Sequence, residues 1–311
     1  MKDQTRAPQG LKAIVGLTRL VTFFAAMLLP LSDGALAKTN AETTARYPFY
    51  AAEKEGETIY ILGAMHLGRQ GTALNDEIVA ALRKSSKLIL EISPSELKKA
   101  QTPQFECKEP YLSDQIGDRS FAQIAEKYPR SSLIIDDLEC ASAWYVGVAL
   151  GELDYMREGF LPRYGTESLL QKSAKAGVTI EGLESFDEQL NAMASMSAKT
   201  QREMLKSYLD SDRERLKRDI TDLYKLFLDG DADRLLGWYL ASNAAQEMPP
   251  EAVNEFNEKL IYERNLRFVE RLQKLIDPKK PVFVSVGALH LGGEKGVLQL
   301  LRKKGYTIKR L

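Results

Sequence analysis

The two histidines of this chain lie in two copies of one hexapeptide, and this repeat constrains the fold more than any other feature. His66 lies in GAMHLG at 63–68 and His290 lies in GALHLG at 287–292, so five of the six positions match. Each copy directly follows an apolar run and precedes a segment with helical periodicity. A strand, a glycine-containing turn and a helix in this order are typical of α/β folds with parallel strands.

The segments around the two hexapeptides predict the central sheet. Each hexapeptide follows a strand and is followed by a helix and a further strand, so the chain begins and ends with the same unit. We therefore predict an α/β fold with a mixed or parallel central sheet, built from two β-(GAxHLG)-α-β units at the chain ends. The strand, helix and strand of the two units are predicted at 58–62, 73–84 and 87–92, and at 281–286, 294–304 and 306–311.

The sequence between the two units is mainly helical. A helix and a strand predicted within 167–183 add one further strand to the sheet. No low-complexity tract or linker divides the chain. We predict a single domain over 38–311, in which a large helical insertion occupies about 110–175 and 195–277. The longest predicted helices of this insertion are 198–228, 231–241 and 251–276.

The first 37 residues have the order of a secretory signal peptide. Four basic residues precede the apolar run 20–31 (LVTFFAAMLLPL), which is short for a membrane span, and the A-x-A signal follows at 35–37. We predict cleavage after Ala37, a periplasmic or secreted product, and no membrane attachment after cleavage. The alternative is an uncleaved N-terminal anchor.

Charge and cysteine content exclude several classes of protein. The formal net charge is zero, which argues against a nucleic-acid partner. Two cysteines exclude a cysteine-rich zinc fold, and the lack of CxxCH excludes covalent haem. In an oxidising compartment Cys107 and Cys140 could form a disulfide, and the alternative is two buried thiols.

The repeat places both imidazoles where α/β folds build their sites. His66 and His290 each follow a strand, and the carboxyl ends of parallel strands meet at one edge of a sheet. Two adjacent loops of this kind would bring the imidazoles together, with ring nitrogens within about 8 Å if both bind one metal ion. The alternative is that each histidine only holds its own turn by hydrogen bonds.

Three glutamates follow or precede elements of the predicted sheet. Glu91 ends the strand KLILE, so we expect its carboxylate at the same edge as His66. Glu184 follows VTIEGL in the same way, and Glu167 opens a helix after Gly165. Each could instead be a solvated strand-end acid or a helix N-terminal charge.

Arg264 and Asn265 lie on the apolar stripe of the last long helix. At a period of 3.6 residues they fall between Leu260 and Phe268 on the same face. A buried guanidinium requires a carboxylate or an anionic ligand. Arg264 is therefore either a structural ion pair between helix and sheet, or a clamp for a carboxylate or oxyanion near the histidines.

These motifs resemble the TraB/PrgY/GumN family. The resemblance rests on the paired Gly-x-x-His motifs, Glu91, the mid-chain block with Glu167 and Glu184, Arg264-Asn265, and the ending GALHLGGEKGVLQLLRKKGY. It covers about 48–311. Glu167 stands where the family pattern has Asp. Relatives include the TIKI proteases, which cleave peptides with a divalent metal, and more distantly the erythromycin esterases and the haem-binding ChaN group.

The resemblance implies site roles for His66, Glu91 and His290. As metal ligands they would bind Zn, Mn or Co and leave a position for water. The first hypothesis is thus a metal-dependent hydrolase of peptide bonds, with Glu91 or Glu184 as general base and Arg264 as oxyanion stabiliser. The alternatives are a metal-free His/Glu esterase-like hydrolase, or a non-catalytic metal- or haem-binding protein. The expected partner is a peptide or small-molecule substrate.

The signal sequence gives the first testable prediction. The exported protein should begin at Lys38, because the A-x-A signal directly precedes this residue. N-terminal sequencing of the exported product measures this. A product that retains residues 20–31 would contradict the cleavage.

Overall fold

A computed structural model describes residues 45–100, 103, 105–128, 138–242 and 247–311. The predicted signal peptide, 1–37, lies outside these residues. The described strands form a six-stranded sheet of order β6-β4-β7-β2-β1-β8 and a separate two-stranded ribbon of β3 and β5. The strands are β1 (Phe49–Lys54), β2 (Glu57–Ala64), β3 (Gly68–Arg69), β4 (Lys87–Leu90), β5 (Phe160–Leu161), β6 (Thr179–Gly182), β7 (Val282–Gly287) and β8 (Thr307–Arg310).

Four neighbouring strands of the sheet are parallel. β6 pairs with β4, β4 with β7 and β7 with β2, each in parallel orientation. Gly63 of β2 lies opposite Val286 of β7, and Ala64 lies opposite Gly287. The two hexapeptides are therefore adjacent, and all four strands end at the same edge. The predicted α/β class with a mixed, largely parallel sheet is confirmed.

The last strand departs from a simple repeat of the first unit. β8 pairs with β1 in antiparallel orientation at the outer side of the sheet, and β1 pairs with β2 in the same manner. Strand β1 was not predicted from the sequence, because its run FYAAEK is short and contains two alanines. The N-terminal hairpin of β1 and β2 thus separates the two ends of the chain within the sheet.

Helices cover both faces of the sheet. They are α1 (Asp76–Lys84), α2 (Pro94–Lys99), α3 (Leu112–Ile116), α4 (Asp118–Lys127), α5 (Ala143–Arg157), α6 (Thr166–Ser173), α7 (Phe186–Ala194), α8 (Ala198–Asp210), α9 (Arg213–Asp229), α10 (Ala232–Ala241), α11 (Pro250–Asn257), α12 (Glu263–Leu275) and α13 (Val297–Lys303).

Alternate residues of the buried strand β7 pack against different helices. Val282, Val284 and Val286 share a cluster with α12 and α13, which includes Phe268. Phe283 packs with residues of α1, α6, α9 and α10 on the opposite face. This alternation follows from the period of two along a strand, and burial on both faces explains why the run PVFVSV is apolar except for Ser285.

A further cluster lies within the helices alone. Residues of α3, α4, α5 and α8, among them Trp144 and Leu205, form an apolar core apart from the sheet. A disulfide between Cys107 and Cys140 joins two segments of this helical region. Of the two states that the sequence left open for these cysteines, the structure has the bridge.

Two long predicted helices are interrupted. The segment 198–228 forms α8 and α9, because Ser211 leaves the helix and Asp212 caps α9 by accepting a hydrogen bond from the Arg215 amide. The segment 251–276 contains a π-helical turn, Glu258–Tyr262, between α11 and α12. A one-residue register shift of this kind is common at functional sites. Within the described ranges, no helix is both long and apolar enough to cross a membrane.

The packing of β7 gives the second prediction. Phe283 has no exposed surface, so Phe283→Ala should lower the free energy of unfolding by about 3–5 kcal/mol. The matched control is Leu266→Ala on α12, whose residue is 53% exposed, with an expected change of about 0.5 kcal/mol or less. Denaturant unfolding measures both. Similar effects of the two variants would contradict the described core.

Candidate active site

The buried guanidinium of Arg264 is the centre of a polar cluster at the carboxyl edge of the sheet. Its Nε lies 3.2 Å from both carboxylate oxygens of Glu184, and its Nη2 lies 2.5 Å from Glu184 Oε1 and 2.7 Å from Glu91 Oε2. Its Nη1 lies 3.0 Å from the Leu260 carbonyl oxygen and 3.2 Å from His290 Nε2. These contacts engage all five N–H groups of the guanidinium.

The π-helical turn positions this side chain. Glu258–Tyr262 directly precedes α12, and the Leu260 carbonyl within the turn accepts a hydrogen bond from Arg264. Arg264 and Asn265 are buried on α12 beside Phe268, as their place on the apolar stripe predicted. The guanidinium carbon lies 5.1 Å from the centre of the Phe268 ring.

Glu91 follows β4 and connects two parallel strands through its carboxylate. Oε1 accepts a hydrogen bond of 2.6 Å from the Gly287 amide at the end of β7, and Oε2 contacts Arg264. Burial alone would raise the pKa of Glu91. The charge of Arg264, with contributions from both histidines and the Gly287 amide, outweighs this effect and lowers the pKa to about 2.

Glu184 has no exposed side-chain surface and contacts the same guanidinium. Burial raises the pKa of Glu184 in spite of its hydrogen bonds with Arg264, and the nearby charge of Glu91 acts in the same direction. One guanidinium therefore faces two buried carboxylates, and the two differ in their affinity for a proton. Gln189 Nε2 lies 3.4 Å from both carboxylates.

His290 is neutral and held at both ring nitrogens. Asn265 Oδ1 lies 2.6 Å from Nδ1, and the Asn265 amide group donates to the Lys295 carbonyl, which fixes the amide orientation. Nδ1 therefore donates and Nε2 accepts from Arg264. Burial, together with the charge of Arg264, lowers the pKa of His290 to about 3. Asn265, whose role the sequence left open, orients this imidazole.

His66 has the opposite electrostatic environment. Its Nδ1 lies 2.6 Å from Glu167 Oε1, and its side chain is 46% exposed. The charge of Glu167 is the main reason why the pKa of His66 rises to about 9, so this imidazole carries a positive charge at neutral pH. The two copies of one hexapeptide thus carry imidazoles of different charge.

Backbone contacts between the His66 loop and the start of α6 bring Glu167 to the imidazole. The Thr166 amide donates to the Met65 carbonyl, and Thr166 Oγ1 accepts from the Met65 amide. A Cβ atom on Gly165 would lie 2.0 Å from the His66 carbonyl oxygen, so only glycine fits at this approach. This contact brings Glu167, at the start of α6, beside the imidazole.

Both histidines line one cavity of about 460 Å³ between the sheet edge and the helices. The sheet side contributes His66, Gly287 and His290, and most of the remaining wall is apolar. A second cavity of about 40 Å³ lies between His66, Glu91, Glu167 and Gln189. Among the described residues, Arg264 and Glu184 line neither cavity, so they act behind the cavity wall.

The predicted metal ligands do not form a metal site in this arrangement. Across the described segments, no group of three or more His, Cys, Asp or Glu side chains could hold a metal ion. Arg264 engages both Glu91 and His290 Nε2. The donors are of a suitable chemical kind, but a metal ion on His290 would require the guanidinium to move.

Two residues of the site were not identified from the sequence. Gln189 joins Glu91 and Glu184, and Glu152 of α5 lines the larger cavity. A usable signal existed for Glu152, because it is an acidic residue on a helix that otherwise reads as buried and apolar. Gln189 has no such signal, since a glutamine on a helix is ordinary.

Fold and site together define an α/β protein with a charged site at the ends of four parallel strands. The chain matches the model of the TraB/PrgY/gumN family over residues 48–310. The protein therefore belongs to this family, and the resemblance predicted from its motifs is confirmed. No solved structure matches the chain.

Two relatives are similar over shorter segments. A "Metalloprotease TIKI homolog" from Amphimedon queenslandica is 34% identical over 64 residues, which is 20% of this chain and 12% of that protein. "Metalloprotease TIKI1" from Xenopus tropicalis is 30% identical over 91 residues, or 28% of this chain and 18% of that protein. The chain thus matches less than a fifth of the length of either relative.

The unequal histidines give the third prediction. The chain has two histidines, so the proton NMR spectrum should show one imidazole that titrates near pH 9 and one that stays neutral between about pH 5 and 10. Glu167→Gln should lower the pKa of the first imidazole towards 6.5. Because the folded-state pKa is raised, the stabilising contact with Glu167 is fully present below about pH 6.5 and is lost as pH rises through about 9.

The matched control for this titration is Glu214→Gln, which changes an exposed glutamate of α9. It should leave both imidazoles unchanged. Two histidines that both titrate between about pH 6 and 7, as unperturbed imidazoles do, would contradict the described contacts.

Proposed function

We propose that the protein is a hydrolase of peptide bonds, with its active site at the two hexapeptide loops. One observation carries the proposal: a charged and a neutral imidazole open onto the same largely apolar cavity, backed by the Glu91–Arg264–Glu184 network. The metalloprotease names of the two TIKI relatives support a protease-like role.

In this proposal His66 acts directly on the substrate. As an imidazolium half-exposed at the cavity wall, it can stabilise negative charge on the carbonyl oxygen and then donate a proton to the leaving amine. Glu167 keeps His66 protonated and fixes the orientation of the ring. Removing Glu167 should therefore weaken His66 as an acid without changing the cavity.

The sequence suggested two general bases, Glu91 and Glu184, and only Glu91 lines a cavity that a substrate or water could enter. Glu184 contacts neither cavity, so its role is to position Arg264. Glu91 lines the smaller cavity beside His66, where a volume of about 40 Å³ is sufficient for a water molecule. We assign Glu91 to orient the attacking water and, as general base, to accept the proton that this water loses. Transfer of that proton to His66 restores the imidazolium after the amine has left.

Arg264 is a positioning residue in this proposal and not an oxyanion donor. All its N–H groups are engaged by protein acceptors, and it lies behind the cavity wall. Its positive charge keeps Glu91 ionised, and it adds to the effect of burial, which is the main reason why the pKa of His290 is lowered. Lysine at this position would retain the charge but could not make the same set of contacts.

A second candidate is the same hydrolysis with a divalent metal such as Zn, Mn or Co. One observation favours it: both histidines have Nδ1 held by a side-chain oxygen, of Glu167 and of Asn265, as metal-ligating histidines usually do. His66, Glu91 and His290 would be the ligands, after release of His290 Nε2 by Arg264.

We propose a periplasmic or secreted location for this activity. The basic, apolar and A-x-A order of residues 1–37 supports export. The bridge between Cys107 and Cys140 also supports it, because disulfides persist mainly in oxidising compartments.

The fourth prediction tests the hydrolase. The wild-type protein should cleave members of a fluorogenic peptide library, and His66→Ala should reduce kcat/KM by about 10²–10⁴-fold, the usual contribution of a general acid. Glu214→Gln is the matched control and should retain full activity. Wild-type protein that cleaves no peptide, with or without added metal, would contradict the proposal, as would full activity of His66→Ala.

The same preparation separates the two candidates. A metal-dependent enzyme should contain bound metal that is lost in His66→Ala, and EDTA should abolish activity that Zn, Mn or Co restores. A metal-free enzyme should keep its activity in EDTA. Arg264→Lys should lower activity in either case, because Glu91 and His290 lose their common partner.

A further inference from the structure

The wall of the large cavity that faces the histidines comes from the helical layer. Residues of α5, α9, α10 and α11 contribute to it, including Val148, Leu223 and Phe256. Their side chains are apolar or aromatic. One acidic side chain interrupts this surface: Glu152 of α5 is the single carboxylate among the described residues that line the cavity.

Among the residues that the structure describes, the carboxylate of Glu152 has no hydrogen-bond or ion-pair partner, although the residue is partly buried. Burial raises the pKa of Glu152 to about 7, and the positive charge of His66 opposes this rise without forming an ion pair with it. A carboxylate in this position is costly to keep charged unless a ligand supplies a cation.

We propose that this cavity binds an apolar group that carries an ammonium cation, with Glu152 as its counter-ion. The inference rests on the proposed function in one respect, namely that the bound group is part of the substrate. For a peptide substrate the cation would be a terminal amine or the side chain of a lysine-like residue.

Aromatic side chains beside Glu152 suit the same ligand. Tyr155 lies three residues after Glu152 on α5, and residues at this spacing share one face of a helix. Tyr239 and Phe256 line the same cavity. Aromatic faces attract organic cations, and a carboxylate adds a charge-assisted hydrogen bond.

Ligands without a positive charge fit the cavity less well. A neutral apolar ligand would fill the volume and remove Glu152 from water without giving it a hydrogen-bond partner. An anionic ligand would meet the carboxylate directly. The cavity should therefore distinguish ligands of similar size by charge, and the carboxylate of Glu152 should be responsible for this preference.

The fifth prediction compares three probes of similar size. At pH 8 hexylammonium should bind the wild-type protein at least about tenfold more tightly than 1-hexanol or hexanoate, the difference expected when a charged hydrogen bond is gained. Glu152→Gln keeps the shape of the side chain and should reduce this preference to near unity. Glu214→Gln should keep it. Ligand-observed NMR titration measures the affinities.

The His66 imidazole signal gives a site-specific control. It should shift on addition of hexylammonium to the wild-type protein and to Glu214→Gln, and an unchanged His290 signal in free Glu152→Gln should show that this variant is folded. Equal affinities of the wild-type protein for hexylammonium and hexanol would overturn the inference, as would a preference that survives in Glu152→Gln.

Failure of this inference and failure of the proposed function are distinguishable. The binding measurement needs no turnover, so a cation-selective cavity can stand in a protein that cleaves no peptide. Conversely, peptide cleavage without selectivity for hexylammonium would retain the hydrolase and reject the assigned role of Glu152.

Discussion

The ion pairs of Arg264 join the elements on which the site depends. Glu91 follows β4, Glu184 follows β6 and His290 follows β7, so one guanidinium connects the ends of three adjacent parallel strands to α12. Removal of one partner from a buried ion pair leaves an uncompensated charge, which costs about 3–5 kcal/mol. The buried charges at the strand ends are therefore compensated only when α12 holds Arg264 in this position. The π-helical turn before α12 contributes to that position through the Leu260 carbonyl.

Burial and the neighbouring charges explain why the two histidines differ. Burial is the main reason why the pKa of His290 is lowered, the charge of Arg264 acts in the same direction, and Asn265 offers that ring a neutral oxygen. His66 instead contacts the carboxylate of Glu167. The matching hexapeptides set where the imidazoles lie, while partners distant in sequence set whether they carry a charge. The protonated imidazole of His66 can stabilise a negative charge or donate a proton, and the neutral imidazole of His290 adds no second positive charge to the same cavity.

The sequence was sufficient for the features that depend on local patterns. The hexapeptides, the strand ending at Glu91 and the burial of Arg264 followed from apolar runs and helical period. The position of β8 could not be inferred, since antiparallel pairing with β1 depends on a hairpin that has a weak pattern. The break at Ser211 was missed because the apolar stripe continues across it. The contacts of Asn265 with His290 and of Gln189 with both carboxylates depend on three-dimensional proximity, which no spacing in the chain encodes.

The two sides of the cavity have separate origins, and this separation has consequences for specificity. The histidines and their partners come from the sheet edge, whose geometry is fixed by strand pairing and by Arg264. The opposite wall comes from helices: α5 and α11 contribute to the apolar core that the bridge between Cys107 and Cys140 joins, whereas α9 and α10 pack on the sheet. Substitutions on the helices can change what the cavity holds without disturbing the charged cluster, which is how one fold supports different ligands. Glu152 lies on the helical wall, so we assign it to the selection of the ligand. His66 and Glu91 lie at the sheet edge, and we assign them to the reaction of the bound ligand.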